Sequence, residues 1–202
     1  MSLREAQKQL TRDRIVNSAL QLFTDKGYSA TTIDDIATAA GTTRMTFYAY
    51  YPTRLDLMAD FMGRVNSILD RIDGSDHTSS APALVDVVRA GTLDGIYAWL
   101  VDRSELWKEF RPYLDVLDQA AAVDREVKTL LSAWHGEVIK DLVRGMEQEG
   151  RFDPSLRDIR ATLAFTQLNY ISTLWTLRSS KDKRQQALEV LAGSWFHLLC
   201  QH

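Results

Sequence analysis

Residues 31–57 read TTIDDIATAAGTTRMTFYAYYPTRLDL, and this stretch decides the fold. Thr32 is a good helix N-cap. Asp35, three positions on, can reach back to the cap as in a capping box with Asp in place of Glu. The spacing predicts a short helix that buries Ile33, Ile36, Ala37 and Ala40 and stops at Gly41. Thr43 caps a second short helix that runs to about Tyr50. Pro52 pushes Tyr51 out of helical geometry and closes it. Two short helices joined by a tight glycine turn, the second rich in threonine, arginine and tyrosine, describe a helix-turn-helix.

The second helix has the dress of a rod that enters a major groove about 12 Å wide. Thr42, Thr43, Arg44, Met45 and Thr46 stand at its leading end. Arg44 can pair bidentately with guanine, and the threonines offer hydroxyls or a methyl contact to thymine. Three tyrosines fall within four positions, Tyr48, Tyr50 and Tyr51. Phe47 and Tyr51 are expected to pack inward, while Tyr48 and Tyr50 present phenol hydroxyls to phosphates. Thr53 caps the next helix, and Arg54 with that helix N-terminus adds positive potential at the same edge.

Working outward, Ile15, Ala19, Leu22 and Phe23 line one face of a first helix from near Thr11 to Lys26, and Gly27 suits its C-terminus. The polar arm of residues 1–10 either extends this helix or stays disordered. After Thr53, the residues Leu57, Phe61, Val65, Ile68, Leu69 and Ile72 keep one stripe, so a fourth helix is expected over 53–72. A Ser- and Gly-rich break covers 73–82. Helices are expected near 83–101, 104–119, 121–149, 155–178 and 183–200. Strand-like alternation is almost absent, so the class is all-α.

The bulk numbers fit this frame. The chain has 202 residues, 45% apolar and 25% charged, with a net charge of −3. It is no polycation, so contact with nucleic acid must come from a local patch. Within the first sixty residues seven cations face seven acidic groups, so affinity rests on arrangement. The single cysteine, Cys200, fits a reducing cytosol. The N-terminal segment lacks the apolar core of a signal peptide, and no window approaches the roughly 18 apolar residues of a membrane helix. A cytoplasmic protein without a membrane partner is expected.

Residues 14–58 resemble the N-terminal headpiece of TetR-type transcriptional regulators. The resemblance rests on Phe23, Gly27 and Tyr28, the Thr31–Thr32 cap, Asp35-Ile36-Ala37, Ala40-Gly41, Thr46-Phe47-Tyr48, the Tyr50–Tyr51 pair, and Thr53-Arg54. It covers about a quarter of the chain. It implies an all-helical protein of about nine helices: a three-helix DNA-binding headpiece over 1–52 and a larger effector-binding and dimerisation domain over 53–202, with the helix 53–72 connecting them. It implies a homodimer formed through the last two helices, bound to a pseudo-palindromic operator in double-stranded DNA and released by a small molecule. Phosphate contacts would fall to Thr32, Tyr48, Tyr50 and Arg54, and base contacts to Thr43, Arg44, Met45 and Thr46. Three positions depart from the family pattern: Thr42 in place of Val, Met45 in place of Gly or Ala, and Arg54 in place of Lys. A methionine at the groove-facing tip can read a thymine methyl or exclude some base steps.

Beyond residue 80 no motif stands out. All five tryptophans lie there. Core packing accounts for many of the aromatics, and a mostly apolar ligand cavity with a few polar groups is the sharper alternative. Its candidates are Phe61, Met62, Trp99, Trp107, Phe110, Trp134, Asn169 and Tyr170. Asn169 sits in an apolar run, and a buried amide needs a partner. For the dimer interface the candidates are Leu163, Leu174, Trp175, Leu188, Leu191, Trp195, Leu198 and Leu199, which give the last two helices more than one apolar stripe. Catalysis finds no support: the histidines are scattered, and His197 with Cys200 supplies only two possible zinc ligands. No metal, cofactor or catalytic residue is expected. The leading reading is a ligand-responsive regulator, most simply a repressor, whose fourth helix shifts when a largely apolar effector binds. The alternative is a helix-turn-helix protein controlled by a protein partner with no small-molecule effector.

Overall fold

Ser2 and Glu5 begin the fold. The Ser2 hydroxyl accepts from the Glu5 amide, and the Glu5 carboxylate accepts from the Ser2 amide, closing a reciprocal capping box. The polar arm is therefore helix, and α1 (Leu3–Lys26) runs on to a Gly27 at φ 85°. The computed structural model describes residues 2–71, 80–178 and 181–201, apart from the side chains of 175–178 and 181. Beyond α1 it holds α2 (Ile33–Ala39), α3 (Arg44–Tyr50), α4 (Arg54–Ile68), α5 (Pro82–Ala90), α6 (Leu93–Glu105), α7 (Trp107–Ala121), α8 (Arg125–Gln148), α9 (Pro154–Arg178) and α10 (Lys181–Leu199). Among the described residues no strand occurs.

Among the described residues the count is ten where about nine were expected. A single helix over 83–101 does not form. Gly91 takes a left-handed conformation at φ 60° and caps α5, and the Thr92 hydroxyl accepts from the Gly95 amide to start α6. The following helix continues through Pro112. The helix expected over 53–72 stops at Ile68, and Asp70 is left-handed at φ 52°; Ile72 lies outside the described residues.

The chain divides into two compact units. The first runs up to Val65 and adds Pro112–Ser132; the second comprises Asn66–Arg111 and the chain from Ala133 onward. In the first, Ile15, Val16, Ala19, Phe23, Ile36, Phe47, Leu57 and Phe61 are fully buried. Phe23 meets the edge of Phe61, which meets Tyr113 in turn. The Gln119 side chain accepts from the Tyr28 amide.

In the second unit, Trp195 is fully buried on α10, donates to the Ala164 carbonyl on α9 and stacks on Trp99 of α6 at 5.8 Å. The end of the α4 segment is held here by polar side chains. Trp134 donates to Asn66 at 2.7 Å, and Arg103 donates to the Leu69 carbonyl. Arg71 lies over the Trp134 ring at 4.6 Å and donates to Ser80, which donates to the buried Asp141. Burial pushes the Arg71 guanidinium below its ordinary range.

α8 approaches α5 through Gly145. A methyl group there would lie 2.6 Å from Val88 Cβ and 3.0 Å from the Val85 carbonyl oxygen. Neither atom can rotate away, so Gly145→Ala is expected to cost about 2 kcal/mol, a fall in Tm of roughly 4–8 °C. Gly136 on the same helix has open space around it. Gly136→Ala is expected to hold or raise Tm. Thermal unfolding followed by circular dichroism checks both.

Candidate nucleic-acid interface

Local chemistry fixes both short helices. The Thr32 hydroxyl accepts from the Asp35 amide at 3.1 Å and the Asp35 carboxylate accepts from the Thr32 amide at 2.9 Å. Those bonds from Thr32 hold the Asp35 carboxyl below the usual carboxylate range. Arg14 reaches across from α1 and donates to the Ala40 carbonyl at 2.6 Å, satisfying an orphan acceptor at the end of α2. Gly41 then turns the chain at φ 64°, and a Cβ there would sit 2.5 Å from the Arg14 guanidinium. Thr43 caps α3, its hydroxyl accepting from the Thr46 amide at 3.1 Å.

α3 presents two unlike faces. Phe47 and Tyr51 are buried, at 0% and 1% exposure, and their rings lie 5.7 Å apart. Thr43, Arg44, Met45 and Tyr48 are exposed, Met45 to 83%. Thr46 and Tyr50 are half-buried at the margins, and Thr32 and Thr53 are exposed at the adjoining helix starts. The Thr53 hydroxyl accepts from the Asp56 amide and so caps α4. Arg44 Nη1 lies 3.2 Å from the Asp34 carboxylate, with its guanidinium 5.6 Å from the Tyr48 ring centre. Tyr48, and then Asp34, raise the proton affinity of that guanidinium.

The backing of α3 is polar as well as apolar. The Tyr51 hydroxyl donates to Asp60 at 2.5 Å, and Arg12 grips the same carboxylate with two bonds at 3.1 and 3.0 Å. Burial, and then Asp60, push the Tyr51 phenol well above its ordinary value. Arg64 pairs with Asp13 beside it. Arg54, expected at the phosphate edge, turns inward: it donates to the carbonyls of Tyr28 at 2.6 Å and Thr31 at 3.1 Å and lies 4.0 Å from the Tyr28 ring centre. Its positive charge holds the turn between α1 and α2. Arg12, Arg14, Asp34 and Asp60 were not singled out from sequence. Arg12 and Arg14 fall just before the apolar face of α1, the place where a long cation can reach over a neighbouring helix.

The remaining candidates separate. Phe61 and Met62 belong to the core of the first unit. In the second unit Trp107, Phe110 and Trp134 are buried, Trp99 is half-buried, and Tyr170 is 64% exposed on α9. The Trp99 indole N–H is buried with no hydrogen-bond partner among the described residues. The partner of Asn169 is the buried Arg111, which donates to its side-chain oxygen at 3.2 Å. Leu188, Leu191, Trp195 and Leu199 are buried inside the chain, Leu198 is half-buried, and Leu163 and Leu174 stand exposed on α9. The Trp175 side chain lies outside the description. Among the described residues no group of three His, Cys, Asp or Glu could hold a metal ion, and no helix is long and apolar enough to cross a membrane.

A clamped, capped helix with one buried aromatic face and one exposed polar face is the recognition half of a helix-turn-helix DNA-binding protein. Residues 15–61 match the family model of the bacterial regulatory proteins of the tetR family. Over this stretch, about a quarter of its length, the chain is similar to the DNA-binding headpiece of TetR-type regulators. A curated relative, the HTH-type transcriptional regulator SrpR of Pseudomonas putida, is 25% identical over 194 residues, covering 96% of this chain and 87% of that protein. Two solved structures share the fold. GusR of Salmonella enterica is 16% identical with a TM-score of 0.67, covering 94% of this chain and 95% of its own. NalD of Pseudomonas aeruginosa, a secondary repressor of the MexAB-OprM multidrug efflux pump, is 20% identical with a TM-score of 0.64, covering 95% and 98%. Regulators of this family are DNA-binding transcription factors and not enzymes.

Proposed function

We propose that the protein is a ligand-responsive repressor that binds a pseudo-palindromic operator as a homodimer. The observation that carries this reading is the exposed row Thr43, Arg44, Met45 and Tyr48 on a helix locked from behind by Phe47, Tyr51 and Asp60. Arg44 and Met45 read base edges, while Thr32, Tyr48, Tyr50 and the Thr53-capped start of α4 position the phosphates. Arg54 serves the same edge indirectly, through the turn it holds. In functional terms, residues 1–52 form the DNA-binding domain and 53–202 the effector and dimerisation domain. The site of action is the cytoplasm, where operator DNA is reached.

The dimer surface we assign is narrower than the sequence suggested. Leu156, Ile159, Leu163, Tyr170 and Leu174 repeat at helical spacing along one side of α9, and all are exposed. A row of large apolar side chains left open on one helix asks for a partner, and a second copy covers it by twofold symmetry. Leu188, Leu191, Trp195 and Leu199 support that face from within the chain. Paired Leu163→Glu and Leu174→Glu substitutions touch no core position. They are expected to keep the helical spectrum, halve the sedimenting mass and abolish tight operator binding. A dimer that survives both changes would refute this surface.

For the effector we favour a small, largely apolar molecule with a hydrogen-bond acceptor, held in the second unit near Trp99 and Trp134. The unpartnered Trp99 N–H is the donor such an acceptor needs. Trp134 already holds Asn66, and the Asn66 segment is continuous with α4, so a ligand that moves Trp134 acts on the helix leading to the headpiece. Tryptophan emission offers the test, because no tryptophan lies in residues 1–98. An effector should change emission and operator affinity together. A broad metabolite panel that changes neither would leave the partner-protein mode of control.

A further inference from the structure

We propose that Asp34 is a specificity-determining positioning residue of the DNA interface, holding the Arg44 guanidinium toward base edges and away from phosphates. This inference rests on the DNA-binding reading of the α2–α3 face. Asp34 belongs to the first turn of α2 and Arg44 opens α3, so the pair spans the helix-turn-helix on its outer side. Arg44 Nη1 donates to the Asp34 carboxylate at 3.2 Å, while the guanidinium lies 5.6 Å from the centre of the Tyr48 ring. The two side chains are 60% and 62% exposed. An ion pair that open contributes little to stability, so its consequence falls on where Arg44 points.

Two effects follow from the carboxylate. Arg44 has five N–H donors, and one nitrogen facing Asp34 leaves others for the paired acceptors of guanine. A restrained guanidinium loses less side-chain freedom on binding than one that swings free. The same negative charge at the rim of the interface repels phosphate oxygens. It penalises every duplex equally and leaves the advantage to sites that reward Arg44 with a base contact. Specificity is a difference of affinities, and a repulsive element sharpens it.

The full-length protein, a duplex selected from random sequence, the same duplex altered at the base pair Arg44 reads, and an unrelated duplex supply the test. Asp34→Asn and Asp34→Ala are expected to tighten binding to the unrelated duplex several-fold. They should cut the preference at the Arg44 base pair by about tenfold while leaving Tm unchanged. In an Arg44→Ala background they should leave base preference unaltered. If preference at that base pair survives in both Asp34 variants, or if they change preference equally without Arg44, the positioning role is overturned while the DNA-binding reading stands. If the unsubstituted protein selects no duplex at all, both fall.

Discussion

Arg44→Ala is expected to erase the preference for one base pair in each operator half-site, at about 1–3 kcal/mol per half-site. A dimer carries the loss twice, so affinity for the selected operator should fall by about thirtyfold or more. Affinity for unrelated duplex should change little, because one cation per protomer is a small part of the electrostatic term. Arg44 is exposed, and its partners among the described residues are the exposed Asp34 and Tyr48, so the fold should not notice. Tyr48→Phe gives the complementary pattern. The ring against Arg44 remains and only the hydroxyl is lost, so every duplex should bind about 3- to 10-fold more weakly with base preference intact. Fluorescence anisotropy with selected and base-altered duplexes separates the two. Equal losses on all sequences for Arg44→Ala would remove it from the base-reading set.

The second large effect is on stability. Arg54→Ala strips two backbone carbonyls of their donor and removes a cation stacked on Tyr28 and Phe23. Charge-assisted bonds of this kind and the stacked cation together are worth about 3 kcal/mol, so Tm should fall by roughly 6–12 °C. Arg54→Lys should recover only part of it, since one ammonium cannot reproduce the guanidinium fork. A residue that only touched phosphate would behave otherwise: alanine would spare Tm and weaken DNA binding, and lysine would restore binding. Unfolding curves and duplex titrations on the same two variants distinguish these roles.

The contrast between Arg54 and Thr32 shows what the sequence could and could not tell. Thr32 with Asp35, Thr43 with Thr46, and Thr53 with Asp56 are local devices whose partners lie three residues apart, so the caps were legible before any coordinates. The inward turn of Tyr51 was also legible, because Pro52 and the helical phase leave it one direction. Arg54 finds its carbonyls 23 and 26 residues upstream, Arg14 caps a helix 26 residues ahead, and Arg12 reaches Asp60 across 48. Their roles depend on how α1 and α4 lie against the turn, which no periodicity encodes. The Gly91-Thr92 break was hidden because the apolar spacing on either side runs across a gap of only two residues. In the last two helices hydrophobicity alone could not divide a chain's own core from a partner's share. Burial assigns Leu188, Leu191, Trp195 and Leu199 to the chain's own core and leaves Leu163 and Leu174 exposed.

A hydroxyl-radical footprint of the full-length protein on a duplex selected from random sequence tests the central claim most directly. Two α3 helices carried by one symmetric dimer should protect two patches whose centres lie about one helical turn apart, roughly 10 base pairs. Both patches should fade together in the Leu163→Glu, Leu174→Glu variant. A single protected patch, or protection that persists unchanged when the protein is monomeric, would contradict the account.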